Sequence, residues 1–102
     1  MKVGVPSEIK AQESRVGLTP QSVKELVKDN HTVLIQNNAG LGAGFSNSDY
    51  ENSGAKIVNS AEDIFNASDM IIKVKEPLMN EVKMIREDQI IYTYFHLSLI
   101  HI

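Results

Sequence analysis

Apolar positions along the chain fall into two alternating patterns. "MKVGV" (1–5) is a short β-type run that stops at Pro6, and the polar stretch "SEIKAQESRVGL" follows it. "TPQSVKELVKDN" (19–30) has helical spacing: Val23, Leu26 and Val27 share a face, Thr19 is placed to cap, and Pro20 occupies the first helical position. Asn30 suits the left-handed residue that closes such a helix. "TVLIQ" (32–36) is the next strand. After a glycine-rich stretch comes a short helical piece around Asp49–Asn52, ended by Gly54, and then "KIV" (56–58) as a third strand. "SAEDIFNAS" (60–68) is helical, with Ser60 and Asp63 near capping-box spacing. "DMIIKVK" (69–75) is a fourth strand, "NEVKMI" a brief helix after Pro77, and "QIIYTYFH" (89–96) a fifth strand. Strands separated by helices of this length predict βαβ crossovers: an α/β, Rossmann-like, mainly parallel sheet with flanking helices.

Composition narrows the setting. The 102 residues suffice for one small domain with a core. A formal charge of −3 offers no basic footprint, so nucleic acid is not an expected partner. There is no cysteine, which excludes disulfides, thiolate metal sites and cysteine nucleophiles. The opening "MKVGVPSEIK" does not resemble a signal peptide, and no stretch has the length of a membrane span. A cytoplasmic chain with no membrane partner is expected.

Candidate chemistry gathers at strand ends. In an open parallel sheet, ligands bind outside the carboxyl ends of the strands. Arg15 lies in the loop after the first strand, Lys75 closes the fourth, and His96 closes the fifth. Tyr94 shares a face with His96 by period-two alternation. A guanidinium, an ammonium, a phenol and an imidazole on one rim suit a small anionic substrate: Arg15 to grip a carboxylate, Lys75 to polarise a carbonyl, His96 as general acid and base. Each residue alone also has a plain reading. Arg15 can be a solvated loop residue, Lys75 a lysine reaching to water, His96 a structural histidine, and Tyr94 a core ring with a wet hydroxyl. Lys73 points to the same side as Lys75 by alternation and is expected to pair with an acid such as Glu76 or Asp69, without a catalytic role. "GLGAGF" places glycines at 40, 42 and 44, with Phe45 where a dinucleotide fingerprint needs its third glycine. It is expected to be a surface or cleft loop, not a phosphate cradle. His31 and His101 lack metal-ligand spacing to His96 or to a carboxylate pair, and no metal site is expected.

The blocks "GVPSEIKAQESRVGLTPQSVKELV", "GAGFSNSDYENSGAKIV", "IIKVKEP" and "YTYFHL" together resemble the N-terminal domain of alanine dehydrogenases, in order, from Met1 to about Leu97. The departures are Gln12 where that family usually has Asn, Gly17 where it has Ala, and Asn30 where it has Gly. The resemblance implies reversible NAD-dependent oxidative deamination of L-alanine to pyruvate and ammonia. By motif, Arg15 would bind the substrate carboxylate, Lys75 would bind the carbonyl or imine side and assist catalysis, His96 would be the acid/base group, and Tyr94 would lie beside the substrate. Nicotinamide nucleotide transhydrogenases share this domain but usually lack residues matching Lys75 and His96; saccharopine dehydrogenases fit "RVGLTP" and "GAGF" less well. A stand-alone small-anion binding module is a third possibility. The resemblance further implies that NAD is bound mainly by a separate nucleotide domain, that this substrate domain is incomplete and inactive alone, and that the intact protein is a homo-oligomer, commonly a hexamer. The closing "LSLIHI" also equals a translation of a transposon end used in sequencing libraries, CTG-TCT-CTT-ATA-CAC-ATC. Residues 1–97 are therefore expected to be the domain and 98–102 a non-native tail, with no role for His101.

Overall fold

The computed structural model describes residues 1–8, 15–75, 79–93 and 98–101. Five strands lie parallel: β1 (Lys2–Val5), β2 (Thr32–Gln36), β3 (Lys56–Val58), β4 (Met70–Lys73) and β5 (Ile90–Thr93). A sixth, β6 (Ser98–His101), runs antiparallel to β5, and the sheet order is β3-β2-β1-β4-β5-β6. The helices are α1 (Pro20–Lys28), α2 (Asn47–Asn52), α3 (Ala61–Ala67) and α4 (Met79–Val82). The chain leaves β1 toward one side of the sheet and returns after β3 to the other, so the order reverses between β1 and β4. Such a switch point opens a crevice at the carboxyl edge.

Period-two alternation sends successive side chains to opposite faces, and each face has its own core. Val3, Val5, Val33, Ile35 and Ile72 pack with Val23 of α1 and Tyr50 of α2. Leu34, Ile71 and Ile91 pack with Ile64 and Phe65 of α3 on the opposite face. Burial on both faces explains why these strands are nearly continuous apolar runs.

Local chemistry sets the helix bounds. Thr19 caps α1 by accepting from the Ser22 amide at 3.2 Å, and Asn30 takes the left-handed conformation (φ 71°) just beyond its end. Ser46 and Asp49 form a complete capping box on α2, and Gly54 follows with φ 104°. Ser60 caps α3 by accepting from the Asp63 amide. Helices this short gain most of their stability from packing, so the caps chiefly decide where each begins.

The observed strands depart from expectation in two places. β4 ends at Lys73, two residues before Lys75, because its ladder with β5 stops at the Lys73–Thr93 pair. The segment set apart as a tail contributes β6, whose Ser98 to His101 pair with Thr93 to Ile90. Backbone hydrogen bonding along an open edge asks little of the side chains, so a tail foreign to the domain can form such a strand as well as a native one. Tyr94 and His96 lie outside the described residues.

Candidate functional site

A cavity of about 330 Å³ opens at the carboxyl edge, lined by Arg15, Val16, Thr19, Ala43, Phe45 and Val74. Its walls come from the segments following β1, β2 and β4, so it sits at the switch point. Most of the lining is apolar. Arg15, largely exposed, brings a permanent positive charge to it. A cavity near the lower end of the ligand-pocket range (~300–1,000 Å³) suits a small molecule with an anionic end and a short apolar part.

The wall that carries Arg15 is held from two sides. A Cβ at Gly17 would fall 2.5 Å from the Ile72 carbonyl oxygen, so glycine lets this loop approach the β4 backbone. The Tyr50 hydroxyl donates to the Leu18 carbonyl at 2.8 Å from a fully buried position. Burial, with Asp49 adding to it, pushes the Tyr50 phenol up to about 12, and the ring therefore remains a neutral donor. Phe45 meets Tyr50 edge to face at 6.2 Å, which joins the glycine-rich loop to the same anchor.

Lys75 follows the cavity-lining Val74 and is partly buried. Its backbone is fixed by a residue that follows another strand. Glu8, three residues past β1, accepts from the Val74 amide at 3.0 Å and from the Lys75 amide at 3.2 Å, one on each oxygen. Lys73 is 1% exposed, with its ammonium 3.4 Å from Glu8 and 3.2 Å from Glu81. The expected Asp69 partner is not the one used: the Asp69 carboxylate accepts from the Lys2 amide at 2.8 Å. Glu76 lies outside the described residues. The reason is topological, since β1 neighbours β4 in the sheet and brings Glu8 to the end of that strand. Ser7 is tied as well, its amide donating to Gln36 at 2.8 Å.

Of the four residues expected at the rim, Arg15 and the backbone leading into Lys75 are thus at one cavity, while Tyr94 and His96 lie outside the described residues. Glu8, Glu81 and Tyr50 escaped the sequence reading. A lysine inside an apolar run demands a buried acid, but choosing Glu8 from sequence requires knowing that β1 lies beside β4. The glycine-rich loop forms a 3-10 turn at Leu41–Ala43 instead of opening a long helix. A Cβ at Gly40 would lie 2.5 Å from the Tyr50 ring, so this glycine serves packing against tyrosine. The loop therefore lacks the long helix whose N-terminus holds the pyrophosphate in a dinucleotide fold. Among the described residues no group of three or more His, Asp or Glu side chains is placed to hold a metal ion, and no described helix is long and apolar enough to cross a membrane.

Comparison with known proteins places these features in a family. The family profile "Alanine dehydrogenase/PNT, N-terminal domain" matches residues 4–100. An alanine dehydrogenase of Staphylococcus epidermidis is 50% identical over 98 residues, covering 96% of this chain and 26% of that protein. One from Methanococcus maripaludis is 45% identical over the same length, again 26% of the relative. Among solved structures, an L-alanine dehydrogenase superposes with a TM-score of 0.88 at 50% identity, over 91% of this chain and 26% of that one. A transhydrogenase from Sinorhizobium meliloti superposes with a TM-score of 0.85 at 29% identity, over 91% of this chain and 27% of that one. The chain spans about a quarter of the length of the curated relatives it matches.

Proposed function

The chain belongs to the alanine dehydrogenase/PNT N-terminal domain family, and from that premise we propose that it supplies the substrate half of an NAD-dependent L-alanine dehydrogenase. The reaction is the reversible oxidative deamination of L-alanine to pyruvate and ammonia. The observation that carries the reading is Arg15 at a small, mostly apolar cavity whose wall includes Val74, the residue before Lys75. A guanidinium can hold the substrate carboxylate in a fixed orientation, and apolar walls suit the methyl group.

Lys75 donates to the carbonyl oxygen of pyruvate or stabilises the imine side. When bound, NAD supplies the acceptor for the hydride of the alanine Cα, whose loss leaves the imine. His96 then takes a proton from the water that adds to the imine carbon and passes it to the departing nitrogen, and the hydroxyl proton is lost as the carbonyl forms. The C–O bond forms, the C–N bond breaks, and ammonia leaves. Tyr94 flanks the substrate. NAD is held mainly by a nucleotide domain outside residues 1–97, and the intact protein is a cytoplasmic homo-oligomer, a hexamer as is common in the family. Identity favours the dehydrogenase over the transhydrogenase reading, at 50% against 29% for the two solved structures.

Substitution in the intact protein tests these assignments. Lys75→Ala and His96→Ala are each expected to lower turnover with L-alanine by about 10²-fold or more while circular dichroism stays native. Per folded molecule, Lys73→Ala should lower it much less. Equal losses from the two lysine changes, with both proteins folded, would contradict the roles.

A further inference from the structure

Glu8 makes contacts that charge balance alone does not require. One lysine lies between two carboxylates, and all three side chains are at most 3% exposed. Among the described residues the one ammonium is shared between the two carboxylates, and buried carboxylate oxygens take further donors. Glu8 finds them in two successive amides, Val74 and Lys75, directly beyond the end of the β4–β5 ladder. These contacts fix the segment that forms one cavity wall and carries Lys75.

We propose that Glu8 is a positioning residue: with Lys73 as its buried counter-ion, it holds the Val74–Lys75 backbone so that the Lys75 ammonium meets the substrate. The inference rests on the substrate-binding role given to Lys75 above. Each carboxylate oxygen takes one amide, so this one side chain replaces two ladder bonds where pairing ends. Hydrogen bonds to a charged acceptor are about twice as strong as neutral ones. Glu8 also stands at the exit of β1, the strand whose following loop brings Arg15 to the same cavity. It thereby joins the two chain segments that contact the substrate.

Glu8→Asp keeps the charge but is one methylene too short to serve both amides and the ammonium. Site-resolved hydrogen exchange in the intact protein should show the Val74 and Lys75 amides exchanging at least about tenfold faster, the loss of a hydrogen bond to a charged group, with Ile71 and Ile72 unchanged. Glu8→Gln, which offers a single acceptor oxygen, should release one of the two amides, and it serves as the second variant should Glu8→Asp fail to fold. With L-alanine, Glu8→Asp should lower kcat/KM by about tenfold or more, because small misplacements of a binding group are costly. Native exchange at both amides would overturn the proposal. So would a uniform rise along β4, the mark of a merely structural role, or local release with unchanged kcat/KM. A wild-type protein unable to oxidise L-alanine would defeat the proposed function instead, since the exchange comparison needs no turnover.

Discussion

At the scale of single residues, two buried polar side chains shape the site from below. Lys73 is the more costly, since a lysine at 1% exposure is tolerated only with partners. Removing it takes the shared ammonium from both Glu8 and Glu81 in a dry place. Lys73→Ala is accordingly expected to cost about 3–5 kcal/mol of stability, seen as a lower denaturant midpoint. A midpoint within error of wild type would show that the carboxylates do not need the ammonium. Tyr50 is the second. Its phenol is raised from 10.0 to about 12, so folding favours the neutral form. The stability from this group is full below pH 10, and it is lost as pH rises toward about 12. Tyr50→Phe should cost about 1 kcal/mol at neutral pH by leaving the Leu18 carbonyl without this donor, and its stability should fall less than wild type's across that alkaline window. Parallel alkaline profiles would remove Tyr50 from the account.

At the scale of elements, what was legible is what local chemistry decides. Thr19 with Pro20, Ser60, Asn30 and Gly54 announced helix starts and stops that the structure keeps, and β2 and β3 match their apolar runs residue for residue. The end of β4 was not legible. Alternation continues through Lys75, but a ladder stops where its amides find another acceptor, and Glu8 is distant in sequence. Side chains also bind carbonyls at the end of α3: Gln89 donates to Phe65 and Ser68 at 2.8 and 2.7 Å, and Arg86 donates to both as well. No periodicity encodes such contacts. The capping box of α2 gives a direct test, because this six-residue helix presents Tyr50 to the loop after Arg15. Ser46→Ala should lower stability by about 1 kcal/mol, measured by thermal unfolding. An unchanged transition would mean that packing of Tyr50 alone holds the helix.

At the scale of the whole molecule, the strand order places the cavity. The chain doubles back between β1 and β4, and the crevice there receives Arg15 from one connection and Val74, the residue before Lys75, from another. The parallel α/β architecture followed from alternating strand and helix patterns. The location of the cavity agrees with the rule that such sheets bind ligands at their carboxyl ends. The buried support beneath the rim stayed hidden because it depends on which strands are neighbours. Family membership supports the proposed substrate, which a small apolar cavity with one guanidinium leaves open. The most direct test is the hydride donor used by the intact protein carrying this segment. NAD reduction is followed with L-alanine as donor, and in parallel with a second reduced nicotinamide nucleotide. The account predicts NADH formation that requires L-alanine and releases ammonia in equal amount. Reduction that proceeds from the second nucleotide and ignores L-alanine would contradict it.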